Sequence, residues 1–302
     1  MAVVHDREVV FGASARFGAA RTAILAIVQS AAVGACGDPV APWPELPQNR
    51  PLLASITEWS VSEPDIIQRG RFVYDGSGRL MRYDFALVRS SGELVVYYVV
   101  YEYASGRLLR SNTFARDGDP SGYFDTFSHT AQSEFAYDVA GHPESIRMLS
   151  LGESGEVGEA VVRYEYGASD RILREWQGDE APRVYAYDAH GNVIRDELPI
   201  GDGATLLYSF EYQRSFNPLA GTPADFHGVI LVNSFSGFRM SPYNVSRFTV
   251  GEKGKPPAAT GVVSVELRAN GYPRKRSVTV TNSDLPHLPT TIITEFEYRD
   301  ET

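Results

Sequence analysis

Tyr185-Ala186-Tyr187-Asp188-Ala189-His190-Gly191-Asn192-Val193-Ile194 reads as strand, turn, strand. Alternating aromatics lead into Asp-x-x-Gly, where the aspartate side chain can hold the turn backbone and the glycine can take the positive φ that other residues resist. An apolar pair leads out. The phrase returns as Phe72-Val73-Tyr74-Asp75 with Gly78, Tyr101-Glu102-Tyr103 with Gly106, and Phe135-Ala136-Tyr137-Asp138 with Gly141. Tyr164-Glu165-Tyr166 follows with Asp170 in the glycine place, an exchange the left-handed region tolerates better for Asp than for most residues. Phe210-Glu211-Tyr212 opens a further copy in which Asn217-Pro218 replaces the turn glycine. The second aromatics stand at 74, 103, 137, 166, 187 and 212, intervals that fit two strands and two connections per copy.

Flanking segments extend the array. Leu53 to Val61 supplies a first strand, Val262 to Gly271 is a degenerate copy with Asn270-Gly271 at its turn, and Thr290 to Tyr298 closes on Phe296-Glu297-Tyr298. Between Leu219 and Lys255 the phrase is absent. Gly, Pro and Phe226, Phe235, Phe238 and Phe248 recur there, which predicts an irregular excursion packed over an end or opening of the sheet, and Gly251 to Gly261 reads as a loop. The fold class is therefore all-β, an antiparallel meander of repeated hairpins.

Within each aromatic-x-aromatic pair both rings point to one face, because side chains alternate along a strand. Neighbouring copies are expected to stack them into a ladder. The intervening residues, among them Val73, Glu102, Ala136, Glu165 and Glu211, point the other way, with Arg107 and Arg171 after the turns placed to offset the glutamates. Two readings of Tyr74, Tyr103, Tyr137, Tyr166, Tyr187 and Tyr212 stand side by side. The rings fill the interior of a curled sheet, or they form a ligand-binding platform that stacks against sugars and other flat apolar ligands.

The N-terminus carries an address. Thr22 to Val28 is an apolar run too short to span a bilayer, it follows Arg16 and Arg21, and it leads to the sole cysteine, Cys36. Five prolines between Pro39 and Pro51 predict an extended, semi-rigid tether. The organisation expected is a signal peptide over 1–35, a tether over 36–52 and a repeat β domain over 53–302.

The net charge of −10 argues against nucleic acid as a partner, since phosphate binding rests on clustered Lys and Arg. Arg274-Lys275-Arg276 is read as a solvated edge strand. Asp117, Asp119, Ser121, Gly122, Tyr123 and Asp125 have the spacing of a calcium-binding EF-hand loop, with Tyr123 contributing its carbonyl; Ser128 stands where the bidentate glutamate belongs. The bland reading is a polar connection between hairpins, and calcium is the one cofactor this leaves open. No hydrolase elbow, phosphate loop or dinucleotide fingerprint occurs in the sequence. Glu102, Glu165 and Glu211, lined up across strands, would imitate a glycosidase pair; as ordinary surface carboxylates they would do nothing chemical.

Val33-Gly34-Ala35-Cys36 resembles the bacterial lipobox, in which the cysteine is diacylated and becomes N-terminal after cleavage. Gly37 is not the aspartate associated with inner-membrane retention, so the resemblance implies the outer membrane. The repeated phrase resembles the YD repeat of RHS-type proteins. Together with the lipobox, Asn217-Pro218, Ser241-Pro242-Tyr243-Asn244 and Asn270-Gly271-Tyr272-Pro273, it is similar to a family of Bacteroidetes-type lipoproteins of unknown function whose repeat domain is described as porin-like. The resemblance spans about 53 to 298, implies a meander curled into a barrel-like or half-barrel shell, and brings no catalytic residue. The function it supports is an envelope-anchored, non-enzymatic binding or structural module at the cell surface, joined to the membrane by its lipid and taking a glycan or protein ligand. The alternatives are a carbohydrate-active hydrolase and a small RHS-like shell fragment.

Overall fold

The computed structural model describes residues 50–62, 64–65, 67–89, 92–116, 127–151, 157–167, 169–220, 240–282 and 290–299. These hold sixteen strands: β1 (Leu53–Ser60), β2 (Ile67–Tyr74), β3 (Leu80–Arg89), β4 (Gly92–Ala104), β5 (Arg107–Arg116), β6 (Phe127–Tyr137), β7 (Pro143–Leu151) and β8 (Val157–Tyr166) in the first half. The second half has β9 (Ile172–Gln177), β10 (Arg183–Tyr187), β11 (Val193–Pro199), β12 (Thr205–Phe216), β13 (Tyr243–Glu252), β14 (Ala259–Leu267), β15 (Pro273–Asn282) and β16 (Thr290–Tyr298). Each strand pairs antiparallel with its neighbours in the chain, and β1 pairs with β16 from Leu53↔Tyr298 to Ser60↔Ile292. The sheet is a closed barrel rather than a half-barrel.

The repeated phrase builds one end of it. In the first copy the Asp75 amide donates to Arg79 O at 2.9 Å, while Asp75 Oδ1 accepts the amides of Ser77 and Arg79 at 2.8 and 3.0 Å. Asp138 and Asp188 hold their turns in the same way. Gly191 has φ +91°, and Asp170 takes the left-handed conformation expected of it at +57°. A β-bulge stands just before the second ring in every copy, as between Val73 and Tyr74 or Glu102 and Tyr103. Both rings of each pair nevertheless turn inward: Phe72, Tyr101, Phe135, Tyr185, Phe210 and Phe296 are buried, while Val73, Glu102, Ala136, Glu211 and Glu297 are exposed on the outer wall.

The excursion after β12 plugs this turn end. Residues 215–220 are buried without a break. Phe216 packs against Tyr272 and Tyr243 at centroid distances of 5.1 and 6.2 Å, Asn217 Nδ2 donates to Ser241 O at 2.7 Å, and Asn244 Nδ2 donates to Phe216 O at 2.6 Å. Phe216, Leu219 and Tyr243 thereby join one core with Leu53, Phe72, Leu80 and Phe135. Residues 221–239 lie outside the described set. The excursion is shorter than the sequence implies, because Tyr243-Asn-Val-Ser-Arg-Phe-Thr-Val alternates as a strand and forms β13, and Gly251 and Gly261 stand within β13 and β14.

The basic run needs the clearest correction. Arg274, Lys275 and Arg276 lie in β15, which is paired on both sides, so there is no edge to blunt. Arg274 is exposed and paired with Glu266, but Arg276 turns inward and is only 1% exposed.

The outer wall is charged. Across β4 to β8, Arg110 meets Glu102 at 3.8 Å and Glu134 at 3.3 Å, and Arg147 meets Glu134 and Glu159 at 3.3 and 2.9 Å. Arg69 and Arg71 share Glu93, Arg174 holds Glu165, and Lys253 and Arg195 share Glu197. Such pairs contribute little to stability, but they identify the medium. A barrel that spans a bilayer turns an apolar band outward, and each Arg or Lys at the midplane costs about 2 to 4 kcal/mol.

Candidate functional site

The tyrosine hydroxyls form a belt around the turn end. Tyr103 donates to Leu80 O at 2.9 Å, Tyr137 to Leu108 O at 2.7 Å and Tyr166 to Pro143 O at 2.9 Å. Tyr187 donates to Ile172 O at 2.8 Å, Tyr212 to Val193 O at 2.6 Å and Tyr298 to Pro273 O at 2.8 Å. The acceptor is the first strand residue after the preceding turn in five cases and the second, Leu108, in that of Tyr137, and Tyr74 is bonded by the backbone of Leu53. Copies stand two strands apart, and the hydroxyls bridge the intervening strand. Burial pushes the phenols up, Tyr137 included, with Tyr103 raised to about 12 and Tyr166, Tyr187, Tyr212 and Tyr298 further, so they serve as neutral donors.

The residue following each turn completes the link. Arg79 lies over the Tyr103 ring at 5.5 Å, Arg107 over Tyr137 at 5.4 Å, and Arg171 over Tyr187 at 5.5 Å. Arg107 and Arg171 therefore serve the next copy's ring and do not offset Glu102 and Glu165, which Arg110 and Arg174 hold. These two arginines also cross the turn glycines beyond them: a Cβ on Gly141 would fall 2.7 Å from Arg107 Nη2, and one on Gly191 equally close to Arg171 Nη2.

Two clusters of inward charge escaped the sequence reading. At β10 and β11, Arg183 forks onto Asp196, with Nε to Oδ1 at 2.8 Å and Nη2 to Oδ2 at 2.6 Å; the Asp196 side chain is fully buried and that of Arg183 is 14% exposed. Tyr185 donates to Glu175 Oε2 at 3.0 Å, and Arg183 crosses the Tyr185 ring at 5.4 Å. Burial opposes the guanidinium charge, but Tyr185, Asp196 and Glu175 outweigh it and hold Arg183 above its ordinary range. Because Asp196 spends both oxygens on the fork, it is a positioning group that locks β10 onto β11.

The second cluster crosses the seam. Arg276 on β15 faces Thr294 on β16, which faces Glu58 on β1. Arg276 Nη2 donates to Thr294 Oγ1 at 3.4 Å, and Thr294 Oγ1 donates to Glu58 Oε2 at 3.2 Å. Burial raises the Glu58 carboxyl to about 7, against the pull of Arg276 and the Thr294 hydroxyl. The folded state thus holds this proton more tightly than the unfolded chain does. The contribution is full below about pH 4.5 and is lost as pH rises through about 7. Urea titrations between these limits should show a decline on the order of 2 to 3 kcal/mol that Glu58→Gln flattens. An unchanged slope in that variant removes Glu58 as its source. Asp138, Glu159 and Glu197, whose pKa values are lowered by hydrogen-bonding partners, lose their contribution only below the usual carboxylate range.

The other sequence-predicted sites divide plainly. Cys36 and Asp117, Asp119, Ser121, Tyr123 and Asp125 lie outside the described residues, and the twelfth loop position, Ser128, is a residue of β6. Glu102, Glu165 and Glu211 sit on β4, β8 and β12, at least four strands from one another, and do not converge.

The chain matches no protein-family model and no curated protein. Its fold is similar to the crystal structure of a porin-like protein from Bacteroides uniformis ATCC 8492: 11% identity over 82% of this chain and 98% of that one, with a TM-score of 0.54. A porin-like protein from Bacteroides vulgatus ATCC 8482 matches at 12% identity over 82% and 99% of the two chains, with a TM-score of 0.38.

Proposed function

We propose that the chain is an envelope lipoprotein of the outer membrane, acylated at Cys36, whose barrel stands in water on a proline-rich tether and acts as a non-enzymatic binding or structural module. The observation that carries this reading is the outer wall, where Arg110, Glu134, Arg147 and Glu159 form a continuous row of ion pairs on strands that a membrane-spanning barrel would present to lipid. Attachment then falls to the sequence ahead of the barrel, in which an apolar core, the lipobox and the sole cysteine coincide. The belt of engaged tyrosine hydroxyls supports a structural use of the repeat rings.

The test combines fractionation with mass spectrometry of the mature N-terminus. The wild-type protein should sediment with membranes and begin at an acylated Cys36, and Cys36→Ala should move most of it to the soluble fraction, since a lipid anchor provides about 0.8 kcal/mol per buried CH₂. A wild-type protein that retains residues 1–35 with a free Cys36 thiol would overturn the anchor. A Cys36→Ala protein that still resists extraction from membranes would overturn the water-standing barrel. A glycan array with product analysis separates a binding module from the hydrolase alternative.

A further inference from the structure

The links of the turn-end belt differ in the residue that follows the turn, which in the fifth copy is Asn192. The residue after the turn is Arg79, Arg107 and Arg171 in the first, second and fourth copies, and arginine keeps its charge at every physiological pH. In the third copy that place belongs to His142. Its imidazole stacks on Tyr166 with centroids 4.8 Å apart and planes 25° from parallel, the position the guanidinium takes over Tyr103, Tyr137 and Tyr187. Each ring nitrogen faces a carboxylate: Nδ1 lies 3.1 Å from Asp138 Oδ2 in its own turn, and Nε2 lies 3.5 Å from Asp170 Oδ1 in the turn of the next copy.

We propose that His142 is a proton-operated latch joining the third and fourth copies, closed when both ring nitrogens carry hydrogen and slackened when one of them loses it. The doubly protonated ring donates to both carboxylates and ties the two turns together. The neutral ring keeps one N–H and sets a lone pair against the other carboxylate, so one of the two contacts turns repulsive. Around the imidazole, Asp138 comes from its own turn, Asp170 from the turn between β8 and β9, and the Tyr166 phenol from β8. Arg107, the first residue of β5, lies against Gly141 and over Tyr137. The nearest charges are thus the two carboxylates. Asp138 is held below its ordinary range by the His142 amide first and by the His142 ring as well, in keeping with that arrangement. The latch adds stability at mildly acid pH and loses it as pH rises through the histidine range; the arginine links do not change.

Hydrogen exchange of the intact protein at pH 5.5 and pH 8, corrected for intrinsic rates, reads this out. The amides of Gly167 and Asp170, which close the β8–β9 turn, should lose roughly three- to fivefold in protection at pH 8, the size expected of one or two partly exposed ion pairs. The Asp75 turn, which holds no histidine, should not respond. His142→Arg should abolish the response and keep the turn protected at both values. Asp170→Asn, at a residue exposed enough to leave folding intact, should shrink it to about half. An unchanged response in His142→Arg or in Asp170→Asn, or an equal response at the Asp75 turn in wild type, overturns the latch.

Discussion

Phenylalanine in place of Tyr103, Tyr137, Tyr166, Tyr187, Tyr212 and Tyr298 together should bring the barrel close to unfolding while leaving every ring in position. Each substitution removes one hydroxyl and leaves one strand carbonyl at the turn end without its donor. A net loss of about 1 kcal/mol per bond makes the combined loss on the order of 6 kcal/mol, against about 5 to 15 for a whole domain. The single variants should each lose about 1 kcal/mol and should add for links on opposite sides of the barrel, with coupling between consecutive links. Chemical denaturation followed by tryptophan fluorescence measures this. A six-fold variant within about 1 kcal/mol of wild type would falsify the belt as a structural device and return the hydroxyls to a ligand. The same variant also separates two uses of the rings, because stacking on a flat ligand needs the ring face and survives loss of the hydroxyl.

The second large effect is expected at Asp196. Asparagine there preserves shape but leaves the Arg183 guanidinium without the carboxylate it forks onto, in a place where the aspartate is wholly buried. Breaking a buried pair by removing one partner costs about 3 to 5 kcal/mol. Replacing both, as Arg183→Met with Asp196→Leu, should recover most of that loss, since two apolar side chains of similar volume leave no stranded charge. Equal instability of the single and double variants would mean that this cluster does more than hold β10 against β11.

Much of this architecture is legible in the chain because two-residue alternation is local. Phe72 with Tyr74 and Tyr185 with Tyr187 fall on one side wherever the strand ends up, and Asp170 adopts the conformation its place in the phrase requires. What is not legible depends on partners far away in sequence. Arg276 sits in a basic run and reads as solvated; its burial is decided by Thr294 and Glu58, supplied by two other strands. The roles of Arg107 and Arg171 depend on a ring at the far end of the next strand, so the adjacent glutamates are misleading guides. Asp196 carries no local mark, since a charged residue between Arg195 and Glu197 in an alternating strand faces either side until the register is known. Closure itself cannot be read locally, because β1 and β16 hold no complementary signal beyond ordinary strand character.

The meeting of the first strand with the last sets an order of events during folding. Ser55 reaches Glu297 across 242 positions, and the Arg299 amide donates to Leu52 O at 2.8 Å, so the ring cannot be completed until nearly the whole domain is available. Fifteen of the sixteen ladders can form progressively as hairpins emerge, but the nascent sheet carries two open flanks throughout. Its most exposed moment comes just before the end. A cell that makes this protein must keep those flanks from meeting another copy until the final strand arrives.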